Sequence, residues 1–207
     1  MVVEGAEAHI PGTKFRTQGP LLITHWGMSG PAVLRLSSYA ARYLAENDYQ
    51  APLAVNWLGM NELEVSQKLG EQARREPQKQ ISTYNLFGLP TRLWGYLLDK
   101  ALGARAAIRW NEMNKKDVNR LVNILMNDNY HMTGRAAFKD EFVTCGGISL
   151  KAVNPSTLES HHTPHLYFAG EVLDIDGITG GFNFQAAWTT AYVVAQDIAS
   201  HSVDATI

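Results

Sequence analysis

Cysteine is almost missing. Cys145 is the only one among 207 residues, which excludes an internal disulfide and fits a reducing, cytoplasmic setting. No stretch approaches the ~18 consecutive apolar residues that span a bilayer. Residues 1–10 lack a basic segment followed by an apolar one, so no secretory signal is expected. Charge of one sign is not in excess, with 18 Lys and Arg against 20 Asp and Glu. The net charge of −2 offers no basic footprint for nucleic acid and no polybasic membrane patch, and neither partner is expected. Repeats and low-complexity tracts are lacking, and the length allows one or two domains with an ample core. One absence weighs most. A dinucleotide-binding domain opens with a strand and G-x-G-x-x-G, followed by an acidic residue about 20 positions on. Nothing in this chain fits that fingerprint.

What the chain does contain centres on His165 to Ala186, HLYFAGEVLDIDGITGGFNFQA. Leu166 to Ala169 has strand length and strand composition. Gly170 breaks it, and Glu171, Asp174 and Asp176 follow. Gly177, Thr179, Gly180 and Gly181 form a glycine-rich turn, and an Ala-rich apolar run with helical spacing continues to Ala199. The order is strand, acidic loop, paired glycines, helix start. N–H groups at a helix start lack partners and carry partial positive charge, so they favour an electron-rich ligand atom. Glycines there hold no side chain against such a ligand. The bland alternative is a tight turn and nothing more.

Ahead of this stretch, residues 1–25 read as strands, with Pro11-Gly12 as a turn. Ser29 is a candidate N-cap for a helix over 32–45. Residues 52–58 read as a strand. Asn61 and Glu64 have capping-box spacing for a helix running to about Arg75. Further helices are predicted after Pro90 and over 115–126, and extended structure returns at 130–137. Helices inside strand-rich surroundings imply an α+β fold with a helical subdomain at about 60–128. His25 and Trp26 lie where strand meets loop and read either as ligand-facing or as packed side chains.

Three pieces resemble motifs of one family, the bacterial NAD(P)/FAD-dependent flavoproteins of the BaiN/YhiN, aminoacetone-oxidase-like type. They are AGEVLDIDGITGGFNFQAAW at 169–188, THWGMSGPA at 24–32 and VTCGGI at 143–148, in the family's order. Thr157 to Ser160 resembles a fourth family element whose implied role is packing. The resemblance covers nearly the whole chain. It implies a β-barrel-like insert domain at 1–140, then the C-terminal strand–loop–helix segment of a glutathione-reductase-like FAD domain at 141–207. The chain then corresponds to the C-terminal half of such a protein, with the N-terminal dinucleotide-binding domain as a missing partner. By the same resemblance FAD is the cofactor of the complete protein, held by Gly170, Glu171, Asp176, Thr179, Gly180, Gly181, Phe182 and Asn183. Glu171 would accept hydrogen bonds from ribityl hydroxyls. The N–H groups of Gly181, Phe182 and Asn183 would face the flavin edge that becomes anionic on reduction. The implied substrate is a small organic molecule such as an enone, an amine or a steroid-like compound, with NADH or NADPH as donor. No catalytic acid or base is assigned, and oligomeric state is open.

Helix 182–199 should present Phe184, Ala187, Trp188, Ala191, Val194 and Ile198 to the sheet of the FAD domain. Without that sheet the face would be exposed, and the chain alone should bind FAD weakly or not at all. Cys145, with no second cysteine, is a poor redox centre. His161, His162 and His165 suggest a metal, but the spacing matches no familiar zinc pattern and Pro164 precludes the helix that would align them. No metal is expected. The rival to a flavoprotein is a non-catalytic insert module that acts as a fold or interaction unit.

Overall fold

The computed structural model describes residues 1–136, 143–178 and 180–204, with side chains to residue 201. The chain forms two compact units, one of Met1–Leu36 with Leu44–Arg135, the other of Ser37–Tyr43 with Ala136–Ile207.

The first unit holds a curled, five-stranded antiparallel sheet. Its strands are β1 (Val2–His9), β2 (Arg16–Ile23), β3 (Met28–Ser29), β4 (Gln50–Asn56) and β5 (Asp128–Thr133), in the order β3-β2-β1-β4-β5. The predicted Pro11-Gly12 turn closes the β1–β2 hairpin, with Gly12 at φ +79°, where only glycine is unstrained. Ser29 is not an N-cap. It pairs with Leu22 across β2 and β3, and Gly30 precedes the next helix and takes its first backbone bond from Leu34 N–H at 2.9 Å. The single helix predicted over 32–45 is two, α1 (Pro31–Tyr39) and α2 (Ala41–Glu46), broken at the fully buried Ala40.

Three helices lie between β4 and β5: α3 (Glu62–Arg75), α4 (Thr91–Leu102) and α5 (Lys115–Met126). Asn61 and Glu64 form the predicted capping box, and Asn114 with Asp117 repeats it on α5. Each such cap contributes about 1 kcal/mol. Leu69, Leu97, Leu98, Leu121 and Leu125 are buried with Trp57, Trp94 and Trp110. Burying one such large apolar side chain stabilises by roughly 1.5–3 kcal/mol. A polar network adds to this packing. Asp128, fully buried, accepts from Trp57 Nε1 at 2.9 Å, Tyr130 OH at 2.5 Å and Lys100 Nζ at 2.5 Å. It joins α4 to β5 and to Trp57, the residue that follows β4.

The second unit contains α6 (Gly181–Asp204) and irregular chain. Its small core is Val153, Leu158 and Leu173, packed by Ile148, Phe168, Ile175, Val193 and Val194. The strand predicted at Leu166–Ala169 is a correction. Only an isolated bridge between Tyr167 and Glu159 forms there, because a strand needs a ladder of neighbours and the described residues supply one short segment.

Candidate functional site

Two of the sequence motifs meet directly in the second unit. Ile148 N–H donates to Val172 O at 2.8 Å and Asp174 N–H donates to Ile148 O at 2.9 Å, a parallel bridge between VTCGGI and the acidic loop. Gly147 sits at φ +149°, and a Cβ there would lie 2.7 Å from Val172 O and from Leu173 C. Gly147 thus lets the VTCGGI segment approach the backbone of the acidic loop closely. The loop is also tied to α6. Gly170 N–H donates to Thr190 Oγ1 at 2.9 Å, Tyr167 OH to Asp197 at 2.8 Å, and Asn183 bonds both backbone groups of Gly177. The bond to Asp197 pushes the Tyr167 hydroxyl up to about 12.

Asp174 in the acidic loop accepts from Arg42 Nη2 on both carboxylate oxygens, at 2.7 and 2.9 Å. That bond holds the Arg42 guanidinium above its ordinary range. Arg42 was not singled out in the sequence, and no local signal marks it, because its partner lies 132 positions away. Cys145 hydrogen-bonds Asp176. That contact, then burial and the carboxylate's charge, raises the thiol above its usual range, which disfavours the thiolate that reacts. Asp176 is thus engaged with the thiol.

The remaining site residues frame the start of α6. Glu171 is exposed within a 3-10 turn, Gly170–Val172. Gly180 and Gly181 have open space where a Cβ would stand. Phe182 is 67% exposed. The N–H groups of Gly181, Phe182 and Asn183 meet no acceptor among the described residues, as the first turn of a helix requires. Asn183 lends its amide to Gly177 and leaves only its backbone for a ligand. Thr179 lies outside the described residues. An open helix start of this kind favours an electron-rich ligand atom. His161, His162 and His165 lie on an exposed turn, whose backbone is held by Ser160 and Glu159. In the first unit, His25 and Trp26 are exposed rather than packed, at the tip of a turn closed by the Thr24 hydroxyl, which accepts from Gly27 N–H at 3.1 Å.

The outer face of α6 carries Phe184, Trp188 and Tyr192, each about two-thirds exposed, at i, i+4 spacing that forms one stripe. Phe184 and Trp188 stack at 6.2 Å. Among the described residues nothing covers them. A stripe of this kind marks an interaction surface.

Comparison with known proteins gives these features a context. The model of the family described as HI0933-like protein barrel and H2TH domain matches residues 3–143. The ribosomal RNA dihydrouridine synthase of Escherichia coli (strain K12) is 33% identical over 187 residues, 90% of this chain and 44% of that protein. The protein of the same name from Haemophilus influenzae is 31% identical over 187 residues, 90% of this chain and 43% of its own length. A 3-dehydro-bile acid delta(4,6)-reductase from Clostridium scindens is 28% identical over 179 residues, 86% of this chain and 43% of that protein. The chain spans less than half the length of each of these relatives. With its barrel and helices matched from residue 3 to residue 143, the chain belongs to the HI0933-like family, a family of the flavoprotein superfamily.

Proposed function

We propose that this chain is the flavin-contacting part of an FAD-dependent reductase that saturates a carbon–carbon double bond conjugated to a carbonyl. The observation that carries this reading is the open start of α6, where the N–H groups of Gly181 to Asn183 meet no acceptor among the described residues and open space stands where a Cβ would be at Gly180 and Gly181. The names of the relatives point to one chemistry. Making dihydrouridine saturates C5=C6 of uracil, which is conjugated to the C4 carbonyl. A reductase of a 3-dehydro-bile acid acting at positions 4 and 6 saturates a double bond conjugated to a ketone. FAD, when bound and reduced by a nicotinamide donor, would supply the hydride to one carbon of the double bond, with a proton added at the other. The chain's own groups have defined tasks. The N–H groups at Gly181 to Asn183 favour negative charge on the flavin edge. Glu171 binds hydroxyls. The Arg42–Asp174 pair and the Ile148–Leu173 bridge hold the acidic loop in place.

The site is half of one. We propose that a dinucleotide-binding segment of the kind the longer relatives have room for covers Phe184, Trp188 and Tyr192 and holds the rest of the cofactor. The chain alone then binds FAD weakly. Of the two substrate classes, uridine in ribosomal RNA is favoured over a small enone, since two relatives above 30% identity carry that name. Titration with FAD, followed by flavin fluorescence, tests the site. Weak saturable binding in the native chain that is lost in Gly181→Leu is the result expected. Equal binding by both would remove the start of α6 from the site.

A further inference from the structure

Charge is unevenly spread along the chain. Residues 62–126, which carry α3 to α5, hold eleven Lys and Arg against seven Asp and Glu. Residues 143–204 hold one Lys against six Asp and Glu. The near-zero sum hides this segregation. Within the helical region the cations are also organised. Lys68 and Arg75 are seven residues apart on α3, two turns, and so share a face. They line one open cleft with Glu71, Gln72 and Leu86. Neither forms an ion pair among the described residues. At the turn beyond α3, Lys79 lies 5.4 Å from the centre of the Tyr84 ring and pairs with Glu76 at 2.8 Å. Arg109 joins the same turn through the Gln80–Arg109 bridge, and its Nη1 donates to Gln78 at 2.9 Å. The result is an exposed strip of three cations, Lys68, Arg75 and Arg109, none in a direct ion pair among the described residues, though the Glu76 charge also acts on Arg75, with the half-exposed Tyr84 ring on the adjoining turn. Two acids adjoin it, Glu71, which accepts from Gln67 at 2.9 Å, and Glu112, which accepts from the Arg109 N–H at 2.8 Å.

A cationic helix face is ordinarily a solvated face. Here it lies near the Tyr84 ring, which Lys79 faces at 5.4 Å, and cations with an aromatic ring are the combination that phosphate contact and base stacking use. We propose that the strip of Lys68, Arg75 and Arg109, with Tyr84, holds the ribose–phosphate backbone of ribosomal RNA. This rests on the reading of uridine in ribosomal RNA as the substrate. The cations neutralise phosphates and set register. They carry no base specificity, which belongs to the site that holds the uracil.

The test is binding of a fluorescein-labelled ribosomal RNA stem–loop to the intact chain, by anisotropy at increasing KCl. Each lost phosphate contact lowers the slope of log K against log salt by about 0.7–0.9. The variant Lys68→Gln/Arg75→Gln/Arg109→Gln should therefore lose about 2–3 in slope and on the order of a hundredfold in affinity at 0.1 M salt. Tyr84→Ala should weaken binding with little change in slope. The variant Lys115→Gln/Lys116→Gln/Arg120→Gln on α5 removes as much charge outside the strip and should change affinity far less. An undetectable native complex at low salt, an unchanged slope in the first variant, or an equal loss in both triple variants would each overturn the proposal. The substrate reading is judged separately, by whether the flavin-loaded protein raises the dihydrouridine content of ribosomal RNA. A strip variant that leaves RNA binding intact would not affect that result.

Discussion

Removing the carboxylate of Asp128 should be among the most costly single changes in the first unit. Three donors converge on it: Lys100 Nζ, Tyr130 OH and Trp57 Nε1. In Asp128→Ala the Trp57 N–H, on a side chain 1% exposed, is left without a partner, which costs about 1–3 kcal/mol. The charged bond from Lys100 is worth a further ~1.5–3 kcal/mol, reduced here because the lysine is 29% exposed and turns to water. Tyr130 reaches solvent more easily and adds about 1 kcal/mol. The sum is about 3–5 kcal/mol, the range for breaking a buried ion pair. Asp128→Asn keeps one acceptor oxygen and should lose roughly half as much. Lys100→Met leaves the carboxylate buried with two neutral donors and should cost about 2–3 kcal/mol. Urea unfolding followed by tryptophan fluorescence reads these values as shifts in midpoint at constant slope. A loss below about 1 kcal/mol for both Asp128→Ala and Lys100→Met would refute the view that this network fastens the helices to the sheet.

The same network makes stability sensitive to alkali. Burial, then the bond to Asp128, raises the Tyr130 hydroxyl above its ordinary value. Burial alone would lower Lys100, but Asp128 and Tyr96 outweigh it and raise the ammonium. Groups raised on folding stabilise below their unfolded values and lose that contribution as pH climbs through the folded ones. Tm should therefore hold to about pH 10 and then fall, and Asp128→Asn should flatten that fall. Gly147→Ala should disrupt the second unit, since the new methyl group meets the backbone at Val172 and Leu173; hydrogen exchange at Ile148 and Asp174 N–H should speed up while exchange in β1–β5 stays unchanged. Cys145 should react slowly with a disulfide reagent at neutral pH, and Asp176→Asn, which removes the largest cause of its raised thiol, should shift the rate profile to lower pH.

Legibility followed the range of the forces involved. Asn61 and Glu64 are three residues apart, so their capping box was readable, and so were the bounds of α5 from Val118, Leu121, Val122 and Leu125. Pro90 marked the start of α4 for the same local reason. Ser29 was misjudged because its pairing with Leu22 belongs to the sheet rather than to the helix that follows. Leu166 to Ala169 has strand composition without a strand's neighbours. At the candidate site, Gly180, Gly181 and Glu171 were readable as an ordered series of residue types. Arg42 was not, because its ion pair with Asp174 bridges distant parts of the sequence. The cationic strip escaped notice for another reason: a whole-chain sum of −2 averages a basic helical region with an acidic tail.

The central claim is that this chain supplies one face of a flavin site and needs a second segment to complete it. The direct measurement is the visible spectrum of the gel-filtered chain after incubation with FAD. It would be made on the chain alone and after co-expression with the part of the Escherichia coli relative that this chain does not span. The account predicts no retained flavin band for the chain alone. It predicts a stable band for the combination, diminished by Gly181→Leu. Full flavin retention by the chain alone would contradict the half-site, and a colourless, intact complex of the two segments would contradict the flavin site itself.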